Sequence, residues 1–280
     1  MTGTKKCIAI HDLSGLGKCS ATVALPILSA ANVETAVMAT AALSNHTAFP
    51  EFTYADLTDD MLPGAELWKK FGAEFDGIYS GFLGSPKQIH IVSEIFEMFR
   101  TLENVIIVDP VMGDNGKLYS TYTKEMADGM ASLCRKADII IPNMTEAAYM
   151  LQEEYREGPY ERAYVEDILV RLSEMGPKCA VLTGVCFDDE NLGAACYLKE
   201  TGKFFYCFTQ KLEGYFHGTG DVFGSAFTAA VLNGSTYKRA LEISVEFVSR
   251  AIKNTMEAGT NPLFGVRFEP ELRWLMDAVQ

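Results

Sequence analysis

Residues 105–113 read VIIVDPVMG, and residues 138–143 read DIIIPN. Each holds a short, β-branched and almost wholly apolar run that ends at a proline, the pattern of a strand covered on both faces. Val105–Asp109 and Ile139–Pro142 are therefore expected strands. Working outward, the same reading places strands at Cys7–Ile10, Glu34–Ala39, Gly77–Ser80 and Cys179–Thr183. Between them lie amphipathic, helix-length stretches: Ala21–Ala31, Gly64–Glu74, Pro86–Arg100, Thr123–Lys136 and Tyr164–Met175. Short strands alternating with helices are the rhythm of βαβ units, whose right-handed crossovers place helices on both faces of a parallel sheet. The expected fold is α/β, three layers (α/β/α) around a mostly parallel central sheet. After Thr183 the rhythm changes. Ala194–Lys199 and Phe204–Phe208 flank a turn-like Thr201-Gly202-Lys203, which predicts an antiparallel hairpin at the sheet edge. Three helices follow: Asp221–Leu232, Tyr237–Glu257 and Pro270–Val279. The charged stretch Gln152–Arg162 reads as a solvated loop. No repeat or linker composition interrupts the chain, so residues 1–280 are expected to form a single domain.

Composition narrows the function. With 24 Lys+Arg against 37 Asp+Glu, the formal net charge is −13. A nucleic-acid binder needs clustered cations to neutralise phosphates, so that class is disfavoured. A small anion held by backbone N–H groups is not. The apolar run Cys7–Ile10 is too short for a signal or membrane segment. The seven cysteines are scattered without a CxxC pair, which predicts reduced thiols in a cytoplasmic protein and no structural zinc.

Ligands of open α/β sheets bind beyond the carboxyl ends of the strands. Polar and glycine residues gather there: His11-Asp12-Leu13-Ser14-Gly15, Ser44-Asn45-His46-Thr47, Ser80-Gly81-Phe82-Leu83-Gly84-Ser85, Asp109-Pro110, Pro142-Asn143 and Thr183-Gly184. Gly15-Leu16-Gly17-Lys18-Cys19 resembles the end of a phosphate-binding loop. It lacks the first glycine, and Cys19 stands where Ser or Thr is required. The sharpest element is Gly218-Thr219-Gly220-Asp221, running into Val222-Phe223-Gly224-Ser225. Glycines on both sides of Thr219 free the main chain to aim N–H groups at one point, and a helix start adds its unpaired N–H groups and positive dipole end. That makes an anion hole suited to a phosphoryl group in flight. Asp221 is then either the acceptor of a hydroxyl proton, in ionised form, or a plain helix cap. Asp109, Asn143 and Glu146 offer oxygen donors for hydrated Mg²⁺, or cap the helices that follow. His11 is expected to be partly buried.

Together, SNHT (44–47), SGFLGS (80–85), DPVMG (109–113), PNxxE (142–146) and GTGD (218–221) resemble the ribokinase-like superfamily, and within it the pyridoxal/pyridoxamine kinase branch. The resemblance spans nearly the whole chain. It implies a ribokinase-like fold and ATP-dependent phosphorylation of the 5′-hydroxymethyl group of a vitamin B6 vitamer. It also implies Mg²⁺, often a stimulating K⁺, and a homodimer. Asp221 would be the general base and a substrate contact, with Gly218, Thr219 and Gly220 as the anion hole. Thr47 would contact the pyridine substituents. Asp109, Asn143, Glu146 and Thr183 would serve ATP, with Asp109 and Glu146 acting on the metal through water. Asp12 stands where many pyridoxal kinases carry Ser, and could pair with the ring nitrogen or the 3-hydroxyl. The HDLSG segment is also similar to hydroxymethylpyrimidine kinases of thiamine synthesis, which remain an alternative. So does a non-catalytic binder of B6 phosphates.

Overall fold

The computed structural model describes residues 3–280. The fold is mixed α/β, with a large, mostly parallel central sheet. In chain order its elements are β1 (Lys5–Ser14), α1 (Ala21–Ala30), β2 (Val33–Leu43), β3 (Tyr54–Asp56), α2 (Thr58–Lys70), β4 (Gly77–Ser80) and α3 (Pro86–Phe99). There follow β5 (Val105–Val108), β6 (Gly113–Asp114), β7 (Lys117–Leu118), α4 (Lys124–Cys134), β8 (Ile139–Ile140), α5 (Met144–Leu151) and α6 (Arg162–Glu174). The last are β9 (Cys179–Val185), β10 (Asn191–Leu198), β11 (Lys203–Gln210), α7 (Thr219–Leu232), α8 (Tyr237–Glu257) and α9 (Leu272–Ala278). The chain divides into two compact units. The first takes the described residues up to Tyr79, with Thr101–Asn104 and Leu212–Gln280; the second takes Ser80–Arg100 and Val105–Lys211.

In the first unit the strand order is β4-β1-β2-β3. β1 and β2 are parallel, with Cys7 opposite Thr35. Cys7, Ile8, Ala9 and Ile10 are all fully buried, which is why this run is apolar without alternation. β3 pairs antiparallel with the end of β2. α7 packs on α1 and α8 and buries every residue from Val222 to Ala230, so it too is apolar all round.

In the second unit the order is β11-β10-β9-β8-β5. β5, β8 and β9 run parallel, and β10 lies antiparallel between β9 and β11, as the change of rhythm after Thr183 predicts. α3 starts where Ser85 accepts the Gln88 N–H and Pro86 fills the first turn. It buries Ile89, Val92, Ile95, Phe96 and Phe99, a stripe at three- and four-residue spacing. Each such side chain is worth about 1.5–3 kcal/mol of transfer.

Boundaries differ in informative ways. β1 runs on through Ser14, past the expected loop at His11. α2 begins at Thr58, six residues before the expected start at Gly64. β3 and the β6–β7 hairpin were not foreseen. That hairpin turns on Asn115 and Gly116, both at positive φ (50° and 77°), the two-residue turn that favours Asn-Gly.

Candidate active site

The expected site residues form two groups. Asp12, Thr47 and Gly218–Asp221 lie in the first unit, and Asp109, Asn143, Glu146 and Thr183 in the second.

In the first unit, the register of β1 on β2 slips between His11 and Leu13. A bulge at that point re-aims side chains, so His11 and Asp12 are both buried while Leu13 is exposed. His11 is wholly in the core, not partly buried. Its ring meets Tyr79 edge-on at 4.6 Å, and burial lowers its pKa to about 3, leaving it neutral. Asp12 accepts the Ser14 hydroxyl at 2.8 Å. Burial raises the Asp12 pKa, and the Ser20 and Ser14 hydrogen bonds and the nearby His46 pull against that rise.

Gly218 occupies the cap position of α7 at φ 78°, and no side chain caps this helix. Asp221 therefore is not a cap. It is the third helical residue, and its carboxylate accepts the main-chain N–H of Ser20. Loss of water around this carboxyl pushes its pKa up to about 7, the Ser20 N–H opposes, and the charge of Asp12 adds to the rise. The helix dipole was expected to favour an ordinary ionised carboxylate here; desolvation outweighs it. The Cys19 thiol beside these acids is raised by burial and then by the charges of Asp221 and Asp12, so it stays protonated near neutrality.

A Cβ on Gly218 would come within 2.2 Å of the Lys18 carbonyl. A Cβ on Gly220 would meet nothing within 4 Å. The glycine-bracketed helix start thus packs its first glycine against the β1–α1 turn and leaves the other in open space. The amides of residues 218–221 open the helix and have no intrahelical acceptor. They are the donors an anion would use.

Thr47 is exposed in the β2–β3 loop. The histidine before it is the anchored residue. His46 is buried; Ala48 donates to its Nδ1 at 3.2 Å, so Nε2 carries the proton and donates to the Leu263 carbonyl at 2.8 Å. Its ring stacks on His217 at 4.9 Å. Leu263 belongs to a strap, residues 261–268, which was missed. Gly265 of the strap packs against the Gly17 carbonyl, where a Cβ would come within 2.4 Å. Asn261-Pro262 and Gly265 were the available signals, a capped 3₁₀ turn closed by a glycine at φ 79°.

In the second unit, Asp109 follows β5 and is buried, its N–H bonded to the Ser80 carbonyl at 2.8 Å. Asn143 caps α5 in a reciprocal box: its Oδ1 accepts the Glu146 N–H at 3.0 Å, and Glu146 Oε2 accepts the Asn143 N–H at 2.8 Å. The Asn143 amide donates to the Gly113 carbonyl at 2.8 Å. Glu146 Oε1 accepts the Met112 N–H at 2.8 Å, and the Gly113 N–H also bonds this carboxylate. Burial nevertheless raises the Glu146 pKa to about 7. Thr183 lies in β9, bridged to Asn143, its N–H on the Pro142 carbonyl at 3.0 Å. Among the described residues, no three His, Cys, Asp or Glu side chains cluster as a metal cage. Carboxylate and amide oxygens of this kind fit Mg²⁺, which keeps waters and takes one or two carboxylates beside phosphate oxygens.

Residues 71–264 match the family described as phosphomethylpyrimidine kinase. A protein of Bacteroides thetaiotaomicron provisionally named a phosphomethylpyrimidine kinase, solved in a crystal form with pyridoxal, is 37% identical. The alignment covers 98% of this chain and 96% of that one, at a TM-score of 0.94. Pyridoxal kinase of Lactobacillus plantarum is 27% identical over 98% of both chains, at a TM-score of 0.90. Pyridoxal kinase PdxY of Granulibacter bethesdensis is 25% identical over 91% of each sequence.

Proposed function

The chain belongs to the phosphomethylpyrimidine kinase family, and from that premise we propose that it is a pyridoxal/pyridoxamine kinase: it transfers the γ-phosphoryl group of ATP to the 5′-hydroxymethyl of a vitamin B6 vitamer. The observation that carries this reading is the place of Asp221, in the first turn of a helix that a glycine, not a side chain, caps, where loss of water pushes its pKa up to about 7. A base poised near the working pH suits proton transfer from an alcohol. The amides of residues 218–220 receive the phosphoryl charge. Asp12 and Thr47 hold the ring substituents. Asp109, Asn143 and Thr183 serve the nucleotide, and Asp109 would also help to hold Mg²⁺. Glu146, whose oxygens main-chain N–H groups already occupy, contributes at one remove. Bound Mg²⁺ would neutralise charge on the transferring group; the rest is positioning, because phosphoryl transfer passes through a loose transition state.

Relatives named pyridoxal or pyridoxine kinase, and the pyridoxal crystal form of the Bacteroides protein, favour B6 vitamers over a hydroxymethylpyrimidine. The same reading takes residues 1–280 as one catalytic domain acting as a cytoplasmic homodimer, stimulated by K⁺. No helix among the described residues is long and apolar enough to cross a membrane. The test is a kinase assay with pyridoxal, pyridoxamine, pyridoxine and hydroxymethylpyrimidine, with and without K⁺. Phosphorylation of hydroxymethylpyrimidine alone would transfer the assignment to thiamine synthesis, and vitamer binding without ATP turnover would make the protein a binder.

A further inference from the structure

Val111 has a φ of 30°. Left-handed backbone is uncommon outside glycine, and a β-branched residue there is strained, so its surroundings must hold it. What surrounds it is specific. Met112, the next residue, donates its N–H to Glu146 Oε1 at 2.8 Å, and the Gly113 N–H bonds the same carboxylate. The Asn143 amide holds the Gly113 carbonyl at 2.8 Å. Beyond Gly113, the Gly116 N–H reaches the Thr145 hydroxyl at 2.9 Å. The first turn of α5 therefore grips the main chain from residue 112 to residue 116. Glu146 is 2% exposed, and both its oxygens already accept main-chain N–H groups.

We infer that Glu146 is a positioning residue: its carboxylate pins the strained Val111–Gly113 main chain, and so holds the turn that follows Asp109 and the base of the β6–β7 hairpin. The assignment of Asp109 to nucleotide and Mg²⁺ rests on the kinase reading above; the clamp itself does not.

Glu146→Gln keeps the size but turns one acceptor oxygen into an NH₂ donor facing a main-chain N–H. Steady-state kinetics of this variant should show kcat reduced about 10–100-fold, the usual loss when a supporting partner is removed. The Mg²⁺ concentration for half-maximal rate should barely move. Hydrogen exchange in peptides covering residues 109–118 should be faster than in the unaltered chain. Val111→Gly on the Glu146→Gln background should restore much of kcat, because glycine adopts positive φ without strain.

A raised Mg²⁺ requirement with no recovery from Val111→Gly would overturn the inference in favour of a metal role. Unchanged exchange over residues 109–118 would overturn it as well. Should Glu146→Gln fail to fold, recovery of folding in the double variant supports the clamp, and a double variant that also fails overturns it. Should the unaltered chain phosphorylate no vitamer, the kinase reading fails, and the exchange measurement still decides the clamp.

Discussion

The carboxylate of Asp221 accepts the main-chain N–H of Ser20, the residue at φ 51° in the N-cap position of α1. The start of α1 and the start of α7 are thereby joined through the acid assigned as base. That bond stabilises the ionised form against the burial that raises the pKa.

Asp221→Asn should lower kcat by about 10²–10⁴, the span for loss of a positioned base, with the KM for ATP little changed. The amide can still accept the Ser20 N–H, so the fold should persist. Near-normal turnover would remove Asp221 from the proposed base role.

With the Asp221 pKa at about 7, kcat/KM should fall as pH drops through neutrality. A pH–rate profile should show this acid limb. If the limb lies near the ordinary carboxylate pKa instead, burial does not set the reactivity of this group.

Stability should move the opposite way. Asp221 and Glu146 both have folded-state values raised to about 7, from 3.8 and 4.5. Between those limits the folded chain keeps protons that the unfolded chain releases. The stabilisation is complete below about pH 4 and is lost as pH rises through 7. Melting temperatures should carry a falling contribution over that window, flatter in Asp221→Asn.

The two glycines of the proposed anion loop should respond differently to alanine. At Gly218 the new Cβ meets a carbonyl at 2.2 Å on a residue at φ 78°, so the turn must shift. Misplacing an oxyanion donor costs about 10²–10³ in kcat. At Gly220 the Cβ enters open space. Gly220→Ala should match or exceed the parent in thermal stability and still lose activity if phosphate occupies that space. Full activity would move the anion elsewhere.

His46→Phe keeps an aromatic ring against His217 but strips the Ala48 N–H and the Leu263 carbonyl of their partners. Denaturant titration should show a loss of about 1–3 kcal/mol. No loss would mean that the strap is held by its other contacts, including Gly265 packed on the Gly17 carbonyl.

Much of the architecture was legible because it rests on local chemistry. The runs around Ile8, Ile107 and Ile139 are apolar without alternation because both faces are covered. The Asn143/Glu146 pair carries a capping box in its spacing, and the glycines around Thr219 announce a helix start that must approach something closely. Less legible were elements whose partners are distant in sequence. β3 is three residues long and exists by pairing with the end of β2. The strap at residues 261–268 has its meaning in Gly17 and His46, more than 200 positions earlier.

Hydrophobic period, breaker residues and motif spacing were enough to determine the α/β class and the order of most elements, and to single out the candidate acids and glycines, since each of these depends on neighbours a few residues away. Only the tertiary structure decided the state of those groups: that burial raises the pKa of Asp221, that His11 is neutral in the core, and that Glu146 faces main-chain N–H groups. Protonation and hydrogen-bond partners follow from how much water folding removes and which distant dipoles it brings within about 3 Å, and neither is written in local sequence.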